Sequence, residues 1–100
     1  MKTLRDPKRK PTHPGETLRV DVLPALNMTQ ADFAKRLDVS RLTISELLLE
    51  KRGMSADMAM RVGKLTNTTP ESWLHMQYAL DLWLLEREPK RYRHIEPIAA

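Results

Sequence analysis

The chain has 100 residues, which supports one domain with one hydrophobic core and is too short for two. It contains no cysteine, which excludes disulfides and thiolate metal sites and favours a cytoplasmic location. The formal net charge of +4 favours an anionic partner, without distinguishing nucleic acid from an acidic protein. The basic N-terminus is not followed by an apolar stretch and no apolar run is long enough to span a bilayer, so neither a signal peptide nor a membrane partner is expected.

The first fourteen residues combine prolines with cations, a composition that predicts a flexible basic arm over residues 1–14. The prolines are Pro7, Pro11 and Pro14, and the cations are Lys2, Arg5, Lys8, Arg9 and Lys10. A solvated arm is the favoured interpretation, and phosphate or protein contact is the alternative. The domain is predicted to span residues 15–88, and the final residues, 89–100, form a tail that is disordered or folds on a partner.

A first helix is predicted from Glu16, because Leu18, Val22 and Leu26 recur at helical spacing. Asn27 tolerates the left-handed conformation that ends many helices. Pro24 predicts a kink or an early stop.

Two short helices are predicted next, over Thr29–Leu37 and Ser40–Glu50. Thr29 and Ser40 are suitable N-caps, and Asp38 and Val39 form a short turn between the helices. Gly53 is expected to end the third helix. Two helices separated by so short a turn form a helix-turn-helix, whose second helix is held clear of the core.

The remaining sequence predicts two more helices. Ser55 caps the fourth, which ends at the Asn67–Pro70 segment, and the fifth runs from Pro70 to a stop before Pro89. No strand pattern is present. The predicted fold is therefore all-α, a five-helix arrangement with the helix-turn-helix at helices 2 and 3.

The side chains predicted to contact DNA lie on the outer face of the helix-turn-helix and beside it. They are Gln30, Lys35, Ser40, Arg41, Leu42, Thr43, Ser45, Glu46, Lys51 and Arg52. Arginine can bond guanine bidentately, leucine can contact a thymine methyl group, and hydroxyls reach base edges or phosphates. The glutamine and the helix N-termini suit neutral phosphate contacts, and the lysines and Arg52 supply the salt-dependent attraction. Glu46 either accepts from cytosine or repels incorrect backbone positions, and the alternative for the whole face is a solvated helix surface.

The fifth helix carries more apolar surface than one small domain needs to bury, which predicts a homodimer interface. Its residues are Tyr78, Leu82, Trp83 and Leu85. A ligand pocket is the alternative interpretation of the aromatic residues, but aromatics at helical spacing more often belong to a core or a dimer surface. The histidines lack metal-ligand spacing and no catalytic constellation is present, so no metal, cofactor or enzymatic activity is expected.

The segment Thr29–Leu47 resembles the helix-turn-helix of the phage-repressor-like (lambda-repressor-like, Cro/C1 or XRE) superfamily. Further motifs resemble the HigA (VapI-like) antitoxins of bacterial toxin–antitoxin modules, over roughly residues 11–83. These motifs are Pro11–Glu16, Ser55–Val62, Thr69–Gln77 and Asp81–Trp83. Two residues depart from the superfamily pattern: Asp38 replaces a frequent glycine, and Leu42 occupies an outward position that is often polar.

The resemblance implies a dimer that binds a palindromic operator, represses its own operon and neutralises a HigB-like toxin that cleaves mRNA. Two alternatives remain. One is a stand-alone phage-type transcriptional regulator without a toxin partner. The other is a helical protein-interaction module that no longer binds DNA.

Overall fold

The computed structural model describes residues 8–99, and within that range the chain contains helices and no strands. Helix α1 is one continuous segment made of the α-turn Pro14–Thr17, the π-helical stretch Leu18–Val22 and the α-turn Leu23–Leu26. It is followed by α2 (Gln30–Leu37), α3 (Arg41–Leu48), α4 (Ala56–Thr66), α5 (Pro70–Glu86) and α6 (Pro89–Tyr92). The predicted five-helix fold is confirmed. The short α6, which lies in the predicted tail, is an addition to it.

Helices α2 to α5 each begin at a hydroxyl N-cap. Thr29, Ser40, Ser55 and Thr69 accept a hydrogen bond from the backbone N–H three residues later, over 3.1–3.2 Å. These bonds satisfy one of the N–H groups that a helix start leaves without an intrahelical partner. The first three caps confirm the sequence prediction. The left-handed conformations of Asn27 (φ 52°) and Asp38 (φ 59°), which end α1 and α2, also agree with it.

The predicted early stop at Pro24 and the predicted end of the third helix itself at Gly53 were wrong, whereas the alternative kink at Pro24 stays a prediction. Pro24 does not stop α1: it lies in the first turn of Leu23–Leu26, directly after the π-helical stretch, where the missing N–H is tolerated. Gly53 does not end α3, which finishes at Leu48, because Glu50 (φ 62°) supplies the left-handed residue instead. No described glycine has a positive φ, so Gly53 has another role.

The last two residues of the predicted arm pack at the start of α1. His13 and Pro14 are buried, and His13 Nδ1 accepts the Gly15 N–H at 2.8 Å to cap α1. The rest of the described arm, residues 8–12, is exposed or half-buried, and residues 1–7 lie outside the described residues.

One hydrophobic core joins α1 to α5. Its fully buried centre consists of Leu18, Phe33, Ile44, Leu47, Leu48 and Val62, and Ala34, Ala59 and Trp73 extend it. The Trp73 indole N–H donates to Thr68 Oγ1 at 2.8 Å, so this large side chain packs in the core with its polar atom satisfied. Leu65 and Leu74 pack against this core as half-buried residues.

The start of α1 lies directly against α3. A Cβ atom added to Gly15 would be 1.9 Å from the Leu47 carbonyl oxygen, so only glycine allows this approach. The contact places α1 behind the buried face of α3 and leaves the other face of α3 open. No helix within residues 8–99 is long and apolar enough to cross a bilayer.

We expect Gly15→Ala to lower the free energy of unfolding by about 1–3 kcal/mol or more, because the added methyl group collides with backbone. Urea unfolding followed by circular dichroism measures the change. Val20→Ala is the control, since Val20 lies on α1 but is 56% exposed, and it should shift stability by no more than about 0.5 kcal/mol. Equal urea midpoints for Gly15→Ala and the parent would show that the close contact is not required.

Candidate nucleic-acid interface

Helix α3 buries one face and exposes the other. Ile44, Leu47 and Leu48 are fully buried, whereas Arg41 is exposed and Leu42 is 67% exposed at the helix N-terminus. Arg41 and Leu42 form what is here called the exposed strip of α3. Thr43, Ser45 and Glu46 are half-buried, so they lie beside this strip and not on it. The N-terminal half of α3 is therefore accessible to a partner, while the opposite face of the helix is packed in the core.

The other predicted contact residues divide into two groups. Gln30, Lys51 and Arg52 are exposed at the start of α2 and in the loop that follows α3. Lys35 is also exposed, but it borders a depression with Leu26, Asn27 and Asp32, between the end of α1 and α2. Lys35 therefore lies beside the end of α1.

The hydroxyl groups of Ser40 and Thr43 are engaged with each other. Ser40 Oγ accepts the Thr43 N–H at 3.1 Å, and the two side-chain oxygens are 2.8 Å apart. Ser40 was predicted both as a cap and as a DNA contact, and the structure establishes the cap. Any DNA contact by this pair must use the hydrogen-bonding capacity that remains.

Glu46 and Arg52 form an ion pair at 2.7 Å, with side chains 33% and 46% exposed. Such partly exposed pairs contribute about 0–1 kcal/mol to stability. The larger consequence is positional, because the pair restrains both groups at one end of the exposed strip. The ion pair was not predicted from the sequence, which assigned each residue a separate DNA contact.

The predictions missed two arginines that hold the helix-turn-helix from neighbouring helices. Arg61 on α4 donates to the carbonyls of Leu37 (2.8 Å) and Asp38 (3.3 Å), at the end of α2. Arg19 on α1 donates to the carbonyl of Leu48 at the end of α3 and lies 3.7 Å from the Glu50 carboxylate. Helix ends leave carbonyls without intrahelical donors, and cations stabilise these negative ends.

Arg61 is itself held by Asp57, one helical turn earlier, at 2.8 Å. The hydrogen bond and the negative charge of Asp57 raise the pKa of the Arg61 guanidinium above its ordinary value. The spacing of four residues between the two groups is visible in the sequence. The carbonyl contacts are not, because they join residues separated by 23 and 24 positions.

The predicted dimer residues do not share one face of α5. Tyr78 (55% exposed), Leu82 (58% exposed) and the half-buried Leu85 follow a spacing of four and three residues, so they form one face, here called the α5 outer face. Trp83 is half-buried and lies off this face, with the Arg87 guanidinium stacked 3.3 Å from its ring centroid. Its own chain therefore covers part of the Trp83 ring.

Comparisons with known proteins agree with this geometry. A helix-turn-helix family model matches residues 22–74, which span α2, α3 and α4. An uncharacterised HTH-type transcriptional regulator from Haemophilus influenzae is 40% identical over 85% of this chain and 78% of its own length. The antitoxin HigA-1 from Vibrio cholerae is 35% identical over 80% of this chain and 75% of its own. The solved structure of Pseudomonas aeruginosa antitoxin HigA with the higBA promoter has a TM-score of 0.81 and 34% identity, covering 90% of this chain and 100% of that one.

Two substitutions of Ser40 separate capping from DNA contact. Ser40→Ala should lower the free energy of unfolding by about 1 kcal/mol, whereas aspartate caps as well as serine, so Ser40→Asp should keep the stability. Ser40→Asp also places a negative charge beside α3, and it should weaken binding to duplex DNA by about tenfold at low salt. Urea unfolding and fluorescence anisotropy measure the two effects.

The matched control is Ser72→Asp, which makes the same change in the first turn of α5 and should leave duplex binding unchanged. Undiminished duplex binding by Ser40→Asp would mean that the N-terminus of α3 does not face DNA.

Proposed function

We propose that this chain, which belongs to the helix-turn-helix family and to its HigA antitoxin group, is a dimeric, cytoplasmic operator-binding repressor. We propose that it also neutralises a toxin. It would bind the promoter of its own operon and sequester a HigB-like, mRNA-cleaving protein. The observation that carries the DNA-binding part is the exposed N-terminal strip of α3, a helix whose opposite face is buried in the core, whose start is capped by Ser40 and whose last carbonyl is bonded by Arg19. The HigA relative whose structure includes the higBA promoter supports promoter binding by this chain.

The proposed mechanism is binding without chemistry. The two α3 helices of a dimer enter successive major grooves, about 34 Å apart on one side of the duplex. Arg41 reads guanine and Leu42 contacts a thymine methyl group, because both side chains stand exposed at the start of α3. Gln30 and the N-terminal amides of α2 and α3 hold phosphates without reading sequence.

Lys51 and Arg52 supply the salt-dependent part of the affinity from the loop after α3. The Glu46 carboxylate neutralises part of the Arg52 charge and keeps its guanidinium beside α3. Thr43 and Ser45 line the strip as half-buried groups, suited to secondary contacts. Lys35, which lies toward the end of α1, is an outlying phosphate contact in this proposal.

A stand-alone transcriptional regulator is the second candidate. The Haemophilus influenzae relative, described as a transcriptional regulator and not as an antitoxin, favours it. A short, basic, ribonuclease-like reading frame beside the gene, whose product co-purifies with this chain, would identify the antitoxin. A regulator without such a neighbour would support the second candidate.

The DNA-binding proposal predicts different effects for two cations. Arg41→Ala should remove about 1–3 kcal/mol of the preference for the chain's own upstream duplex over a scrambled one, because a base contact is lost. Lys51→Ala should weaken binding to both duplexes alike and reduce the slope of log affinity against log salt by about 1. Anisotropy titrations at several salt concentrations measure both quantities.

Lys64→Ala, an exposed cation near the end of α4, is the control and should change neither quantity. If the parent protein binds both duplexes equally, the repressor function is wrong. If it discriminates between them but Arg41→Ala does so equally well, another residue reads the bases.

The dimer part of the proposal rests on the α5 outer face, whose exposed apolar side chains a second copy would cover. Leu82→Glu should shift the protein from dimer to monomer at micromolar concentration, because a charge in an apolar interface has no partner. Sedimentation velocity measures the shift. Val20→Glu is the control, since Val20 is exposed to a similar extent on α1; an unchanged dimer in Leu82→Glu would place the interface elsewhere.

A further inference from the structure

The α5 residue Gln77 is buried, although it lies on a helix whose other polar residues are exposed. Its side chain is only 7% exposed, and both ends of its amide are used. Gln77 Oε1 accepts the backbone N–H of Met54 at 2.7 Å, and Nε2 donates to Asp81 Oδ1 at 2.9 Å. A buried amide with both ends bonded holds one orientation, because rotation would lose both bonds.

The Met54 N–H lies in the loop between α3 and α4, outside any helix. Met54 is itself buried, so without Gln77 its amide would be a buried donor with no partner. Lys51 and Arg52 stand three and two residues earlier, respectively, in the same loop. The Gln77 side chain therefore fixes the loop that carries the proposed phosphate contacts.

Gly53 shows how closely the loop and the amide are packed. A Cβ atom at this position would be 3.1 Å from Gln77 Cδ and Oε1. The φ of Gly53 is not positive, so close approach rather than backbone conformation accounts for this glycine. The loop backbone rests directly on the Gln77 amide.

Asp81 lies one turn further along α5 and is exposed. On the helix surface it neighbours Tyr78 and Leu85, three residues before and four residues after it, which belong to the α5 outer face. Its carboxylate accepts the Gln77 N–H and so directs Oε1 toward Met54. The two hydrogen bonds form a continuous connection from the edge of the α5 outer face to the loop after α3.

We propose that Gln77 and Asp81 are positioning residues for DNA binding: Asp81 orients the Gln77 amide, which holds the Lys51–Arg52 loop in register with the DNA backbone. This inference rests on the proposed operator binding. It assigns a role to Gln77 and Asp81, two polar residues four positions apart on α5, neither of which belongs to the exposed strip of α3. Their effect on affinity passes through the phosphate contacts alone.

Reversing the polarity of the Gln77–Asp81 bond provides the test. Gln77→Glu places two carboxylates against each other, and it should weaken binding to the upstream duplex by about tenfold, the scale set by the loss of the part-buried hydrogen bond from Gln77 to Asp81. Gln77→Glu combined with Asp81→Asn restores a donor–acceptor pair, with the asparagine amide donating, and should recover affinity to within about twofold. Asp81→Asn alone keeps an acceptor for Gln77 and should change affinity little.

Two readouts separate positioning from general stability. The slope of log affinity against log salt should fall by about 1–2 in Gln77→Glu, because up to two phosphate contacts are misplaced. In a background carrying Lys51→Ala and Arg52→Ala, Gln77→Glu should weaken binding no further, since the groups it positions are gone. All titrations are made well below each variant's Tm, determined by circular dichroism.

The outcomes are distinct. Recovery of affinity and salt slope in the double variant, together with no added loss in the Lys51→Ala/Arg52→Ala background, establishes the positioning role. A lowered Tm with unchanged affinity and salt slope in Gln77→Glu overturns the positioning role. The role is also overturned if Gln77→Glu weakens binding as much in the Lys51→Ala/Arg52→Ala background as it does in the parent. If the parent protein does not prefer its upstream duplex over a scrambled one, the proposed operator binding is wrong. If the parent prefers its upstream duplex and the Gln77→Glu variant binds that duplex equally well, only the positioning role is wrong.

Discussion

The arrangement of this protein depends on how the C-terminal ends of α2 and α3 are satisfied. Helices α2 and α3 have eight residues each, and each leaves carbonyl groups without intrahelical donors at its C-terminal end. So few residues do not form a stable helix in isolation. Arg61 supplies donors to the end of α2 and Arg19 to the end of α3. Because these arginines lie on α4 and α1, the helix-turn-helix is fixed by the helices that surround it as well as by its own turn.

The contacts at both ends of α3 also keep this helix, which is proposed to read DNA, in a fixed position. Helix α3 packs against the start of α1 at Gly15, begins at the Ser40 cap and ends under Arg19. The backbone of its exposed strip is thus positioned before any partner arrives, and little backbone conformational entropy remains to be lost on binding. The ion pair between Glu46 and Arg52 extends this order to the charged end of the strip.

Two proposed functions share helix α5, and its sequence pattern does not separate them. Trp73, Gln77 and Leu80 face the domain and are buried, whereas Tyr78 and Leu82 point outward. The inward side includes one amide, Gln77, that reaches the loop after α3. A helix proposed to join two protomers is therefore also bonded to the segment proposed to touch the DNA backbone, so the two functions share one structural element.

Five helices, three of their hydroxyl caps and the exposed strip of α3 could be predicted from the sequence, because each depends on residues within about one helical turn of one another: Ser40 on Thr43, and Thr29 on Asp32. The continuation of α1 through Pro24 and the left-handed φ of Glu50 were not predicted. Tertiary structure alone decided the contacts of Arg61 with Asp38, of Arg19 with Leu48 and of Gln77 with Met54. These pairs are 23 or 29 positions apart, and no local pattern encodes which distant carbonyl or amide a polar side chain will meet once the core has formed.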